Sequence, residues 1–143
     1  MKHFLLFVSI VISIVSSIAF AQTLPVEDII KDASPSVVKI VVYDITGTKR
    51  GEGSGFFISR GKIITNAHVV DGAYSAEVHS SLNLYEQITI NKRDDEVDLA
   101  LLTVEDVGEP TIALADSIDL RPGQRVLAIV NPPSVLSVQS LTV

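Results

Sequence analysis

The sequence predicts an all-β protein built from many short strands, and three observations carry that expectation. Apolar residues either alternate with polar ones or form brief β-branched runs, the patterns of half-buried and fully buried strands. Turn-forming residues return about every 8–12 positions, a spacing typical of sandwiches and barrels. Between Val37 and Val104 there is room for about six strands and none for a long helix. A barrel is the favoured arrangement, because closure removes the exposed edges that short strands otherwise leave.

The elements follow in order along the 143 residues. Lys2 and His3 precede an apolar run, Phe4 to Val15, and Ala19-Phe20-Ala21 supplies the small residues of an export-signal cleavage site. The run is short for a membrane span of ~20 residues. Residues 1–21 are therefore expected to be a signal peptide cut after Ala21, with the protein periplasmic or secreted. Membrane contact is expected only through that signal during export. Val26 to Ala33 reads as a short amphipathic helix with Ile29, Ile30 and Ala33 on one side. Ser34-Pro35-Ser36 ends it, since Pro restricts the residue before it. Val37 to Tyr43 is β-branched and reads as a strand. Asp44 to Arg50 is a polar turn region. Ser54 to Ser59 and Lys62 to Asn66 read as a hairpin joined at Arg60-Gly61. Ala73 to Ser81 and Leu84 to Lys92 alternate around a turn at Ser81 to Asn83. Val97 to Val104 is nearly continuously apolar. Ala115 to Gly123 is a polar connection, Gln124 to Val130 a further strand, and Ser137 to Val143 the start of another.

Composition narrows the function. The formal charge is −6, and loss of Lys2 with the signal leaves ten basic against seventeen acidic residues. An acidic chain without a basic run is a poor nucleic-acid binder. The absence of Cys excludes a disulfide framework and thiolate metal sites, so stability must come from a buried core.

The segments that carry chemistry are Gly53-Ser54-Gly55-Phe56-Phe57-Ile58-Ser59 followed by Ile63-Ile64-Thr65-Asn66-Ala67-His68-Val69-Val70, then Asp98-Leu99-Ala100-Leu101-Leu102, then Leu114-Ala115-Asp116-Ser117 with Leu120-Arg121-Pro122-Gly123-Gln124 and Val126 to Pro132. Together, in this order, they resemble the signature of HtrA/Deg-type trypsin-like serine proteases over about Asp32 to Val143. The resemblance implies two β-barrels with an active site in the cleft between them. Residues 37–115 would form a six-stranded first barrel carrying His68 and Asp98, after an N-terminal segment at 22–36. Residues 116–143 would be the linker and the first one or two strands of an incomplete second barrel. The implied activity is endopeptidase cleavage of unfolded or damaged polypeptides, without a cofactor, in an assembly that in the family is often a trimer.

The residues themselves agree. A serine protease needs an imidazole to take the nucleophile's proton and a buried carboxylate to orient that imidazole. His68 follows a short β run and opens a turn at a barrel rim. Asp98 starts an apolar strand, where an unpaired buried charge would be costly, and His68 is the expected partner. The family's serine lies in a Gly-Asn-Ser-Gly-Gly-Pro loop of the second barrel, and no such loop occurs in these residues. Ser54 lies between glycines on a strand and lacks a nucleophile-elbow frame. Ser134, Ser137 and Ser140 lack neighbouring glycines for an oxyanion hole. The chain as it stands is expected to be a fragment without hydrolytic activity of its own. The competing expectation is a non-catalytic, single-barrel relic or binding module. A metal site from His68, His79 and Asp98 is set aside for want of ligand spacing, and Asp94, Asp95 and Glu96 read as a solvated turn. Val130 stands where the family has Gly, and Pro133-Ser134-Val135 replaces Phe-Gly-Leu.

Overall fold

The computed structural model describes residues 25–105, 108–116 and 120–130, together with the backbone of 137–142. The expected signal peptide, its cleavage point after Ala21, and Ser134 lie outside the described residues.

The chain begins with α1 (Val26–Ala33), as its amphipathic pattern predicts. Glu27 and Asp28 in its first turn and Lys31 in its last complement the helix dipole. A 3-10 turn, Ser34–Ser36, holds Pro35 and feeds directly into the sheet.

Seven strands follow: β1 (Val37–Tyr43), β2 (Lys49–Ser59), β3 (Lys62–Thr65), β4 (Ser75–His79), β5 (Leu84–Tyr85), β6 (Thr89–Asp94) and β7 (Leu99–Thr103). They pair antiparallel in the order β5-β4-β1-β2-β3-β7-β6. The all-β expectation holds, with one strand more than the sequence pattern suggests. The run Leu84 to Lys92 divides because its two halves serve opposite edges of the sheet. β5 pairs with β4 and β6 pairs with β7, so one straight strand could not make both ladders.

The sheet curls into a half-barrel around a single core. Tyr85 on β5 meets Phe57 on β2 edge-on, with ring centroids 6.2 Å apart and planes at 65°. Those strands are three positions apart in the sheet, about 14 Å if it were flat. Phe57, Val38, Ile40, Ile63, Val78 and Leu102 are all fully buried in that core. Burying such residues out of water is the main stabilising term for a chain without disulfides.

Two glycines of β2 permit the close packing. A Cβ on Gly55 would stand 2.8 Å from the carbonyl oxygen of Ile64, and one on Gly53 would stand 2.5 Å from a Val69 methyl. Residues 108–116 lie back on the barrel, where the Ile112 N–H donates to the Phe57 carbonyl at 2.9 Å. A separate two-stranded antiparallel sheet, β8 (Arg125–Val130) with β9 (Ser137–Thr142), follows.

Candidate active site at the barrel rim

β3 delivers the chain to the rim. The buried Thr65 hydroxyl donates to the Ser54 carbonyl at 2.8 Å, fixing the end of β3 to β2. The next residues form a 3-10 turn, Ala67–Val70, whose Ala67 and Val70 are buried. These two apolar side chains hold the turn against the barrel end, and Val69 sits against the bare backbone of Gly53. His68, between them, is left pointing outward with its side chain 71% exposed.

Asp98 arrives from the other side. The turn after β6 ends at Asp98, which adopts a left-handed backbone at φ 55°, and β7 starts one residue later. Its carboxylate meets His68 twice. Oδ2 lies 2.7 Å from the ring Nδ1, and Oδ1 accepts the His68 main-chain N–H at 3.0 Å. Asn66 adds a third grip, its Nδ2 donating to Asp98 Oδ2 and to the Asp98 carbonyl, both at 3.1 Å.

The two residues singled out in the sequence are therefore in direct contact. The expected burial of the carboxylate is not found, because the Asp98 side chain is 44% exposed. What justifies a charge here is its set of donors. The His68 main-chain N–H and then the His68 ring hold the Asp98 carboxyl below its ordinary value, against an opposing effect of desolvation, and Asn66 adds a weaker lowering.

Sequence reasoning missed a second tier of contacts. Arg93 on β6 places Nη1 2.8 Å from Asp71 and Nε 2.6 Å from Asp95. Asp71 immediately follows the His68 turn and Asp95 precedes Asp98 by three positions, so one guanidinium ties both loops together. Asp95 is thus part of an ion pair rather than only a solvated turn residue. Asp94 closes the same turn by accepting the main-chain N–H groups of Glu96 and Val97 at 3.0 and 3.3 Å. An alternating strand pattern cannot reveal such pairs, since Arg93 is an ordinary edge-strand cation until the fold brings Asp71 to it.

Other candidates fall away from the site. Ser54 lies within β2. His79 ends β4 and bonds Glu77 Oε2 through Nε2 at 3.1 Å. Among the described residues no group of three or more His, Cys, Asp or Glu is arranged to hold a metal ion. Ser137 and Ser140 pair across the second sheet with Val130 and Leu127.

A neutral imidazole that donates from Nδ1 to a carboxylate keeps its Nε2 lone pair free to accept a proton. That is the protonation a proton acceptor requires.

Comparison with known proteins agrees with the fold. Residues 53–142 match the family described as trypsin-like peptidase domain. Serine protease HTRA1 of Xenopus tropicalis is 34% identical over 117 residues, covering 77% of this chain and 25% of that protein. A "probable periplasmic serine endoprotease DegP-like" of Halomonas elongata is 45% identical over 87 residues, covering 59% of this chain and 18% of that protein. Among solved structures, a protease of M. tuberculosis in its active form superposes with a TM-score of 0.70 at 30% identity, covering 78% of this chain and 49% of that one. The serine endoprotease of Yersinia pestis gives a TM-score of 0.69 at 29% identity, covering 82% and 44%. The chain thus spans about a quarter of the length of the curated relatives it matches over most of its own. On the matched motifs, the curled barrel and these relatives, the chain belongs to the trypsin-like peptidase family, in its HtrA/Deg branch.

Proposed function

We propose that this chain is the His- and Asp-bearing part of an exported serine endopeptidase that cleaves unfolded or damaged polypeptides. His68 acts as general base and Asp98 orients it. The observation that carries the reading is the 2.7 Å contact between His68 Nδ1 and Asp98 Oδ2, on a ring that is otherwise open to solvent.

The chemistry follows from that contact. A serine hydroxyl brought to Nε2 loses its proton as its oxygen bonds to the scissile carbonyl carbon, and the imidazolium formed is stabilised by the carboxylate. The same proton then passes to the leaving amine as the acyl-enzyme forms. The 143 residues contain no Gly-Asn-Ser-Gly-Gly loop, so the nucleophile and oxyanion hole are assigned to a second barrel, as the family resemblance implies. Export through residues 1–21, with cleavage after Ala21, fits the periplasmic naming of the Halomonas relative.

The test is to express the full reading frame downstream of Val143 and follow cleavage of an unfolded protein substrate. His68→Ala is expected to lower kcat by about 10⁴-fold or more with little change in KM. Unchanged turnover in that variant would overturn the assignment.

A further inference from the structure

We propose that Asn66 is a positioning residue of this site, fixing the backbone and the carboxylate of Asp98 through one amide nitrogen. The inference rests on the reading of His68 and Asp98 given above, and adds a residue to it.

Asp98 needs holding in two ways. Its left-handed backbone, at φ 55°, is a conformation that non-glycine residues visit sparingly. Its carboxylate is half exposed, so water competes for each of its lone pairs. Asn66 answers both needs. Nδ2 lies 3.1 Å from the Asp98 carbonyl oxygen and 3.1 Å from Oδ2. A primary amide has two protons on one nitrogen, enough to serve both acceptors. The orientation of the amide follows, because both neighbours are oxygens and only the nitrogen can donate to them.

Oδ2 is the oxygen that meets the His68 ring. A donor on Oδ2 from a second direction limits rotation of the carboxylate about its Cβ–Cγ bond, and so sets where the ring can lie. Asn66 and His68 are two positions apart at the end of β3. The same short segment therefore grips Asp98 by a side-chain amide, a main-chain N–H and an imidazole. Asn66 itself is exposed and contributes nothing to the hydrophobic core, which separates this role from packing. Asp here would bring a second negative charge to the carboxylate, and Ser would offer only one donor.

The test uses this chain as it stands, because the readout is the ring and not turnover. Isotope-edited NMR in alkaline buffer measures the ratio of Nδ1–H to Nε2–H tautomers of His68, and carboxyl carbon shifts follow the titration of Asp98. Asn66→Ala is expected to lower the tautomer ratio roughly fivefold, the effect of one net hydrogen bond. It should also raise the pH at which Asp98 titrates, with the thermal unfolding midpoint nearly unchanged. Asn66→Ser, keeping one donor, should recover part of both effects, and carries the test if the Ala variant is poorly folded. An unchanged tautomer ratio in Asn66→Ala overturns the inference, whatever happens to the unfolding midpoint. Asp98→Asn separates the two levels. If it too leaves the ratio unchanged, the His68–Asp98 pairing fails and takes the general-base reading with it. If it moves the ratio while Asn66→Ala does not, only the role of Asn66 falls.

Discussion

Asp98 is an acceptor surrounded by donors, and that asymmetry makes its chemistry testable. One oxygen takes the His68 main-chain N–H and the other takes the ring and Asn66. Asp98→Asn keeps the shape but replaces one acceptor by an NH₂ group. It must then either lose a main-chain hydrogen bond or force the ring into the wrong tautomer. On the proposed function, kcat for peptide cleavage by the product of the full reading frame is expected to fall about 10⁴-fold with the fold intact, as circular dichroism would check. The pH dependence has a definite sign. The carboxyl titrates below its ordinary value, chiefly through the His68 main-chain N–H. Its grip on His68 is therefore present above the unfolded carboxylate value and is lost as pH falls through the lower folded one. An acid titration of the His68 ring shifts should show release below the ordinary Asp range. His68 and Asp98 were both legible as residue types in a motif. The exposure of Asp98 and the role of Asn66 were not, because burial and donor geometry depend on what lies around a side chain.

At the scale of elements, β2 and the His68 turn form one packed unit. Gly53 gives Val69 the space that a Cβ would take, and the nearest Val69 atoms are methyls close to its own backbone. Such branched groups have little freedom to swing aside. Gly53→Ala is expected to destabilise the chain by ~1–3 kcal/mol through overpacking, measured by urea unfolding, and to broaden or shift the His68 ring resonances. Val69→Ala in the same chain should restore part of that loss, a non-additivity expected of residues in contact. Independent, additive effects would contradict the packing account. The sequence places Gly53 and Gly55 on a strand, where residues without a Cβ permit close packing. Which partner approaches them is set by the antiparallel pairing of β2 with β3 and by the turn that follows. Strand limits were readable where a β-branched run is bounded by turn residues, as in β1. They were less readable at Leu84 to Lys92, where each half belongs to a different ladder.

For the molecule as a whole, Glu109 fastens the segment leaving the barrel. This buried carboxylate accepts at Oε1 from the Ser80 hydroxyl at 2.5 Å, the Asn83 amide at 2.9 Å and the Tyr85 hydroxyl at 2.8 Å. Burial pushes its titration upward, but the three donors together outweigh that and leave it below the ordinary value. The β4–β5 turn, the edge strand β5 and the outgoing segment are thereby joined at one oxygen. Glu109→Ala removes three hydrogen bonds to one buried oxygen, from Ser80, Asn83 and Tyr85, and is expected to cost ~1–3 kcal/mol in chemical denaturation at neutral pH. The lowered folded value means the parent's advantage over this variant is present above the unfolded Glu value and fades as pH falls through the folded one. A difference between parent and variant that did not shrink in acid would refute the assignment. The composition contains no sign of this contact, since Glu109 is 29 positions from Ser80 and 24 from Tyr85.

Much of this protein follows from local pattern. Alternation and β-branching give the strands, and glycine and polar clusters give the turns. Those features depend on residues near one another along the chain, where propensity and periodicity act, whereas His68 and Asp98 stand out through the resemblance of the Thr65-Asn66-Ala67-His68 and Asp98-Leu99-Ala100-Leu101-Leu102 segments to a family motif. Curling of the sheet, the 2.7 Å approach of residues thirty positions apart, the Asn66 and Arg93 contacts and the exposure of the carboxylate depend on long-range packing. Their energies arise only when distant segments share the same space, so no local rule encodes them.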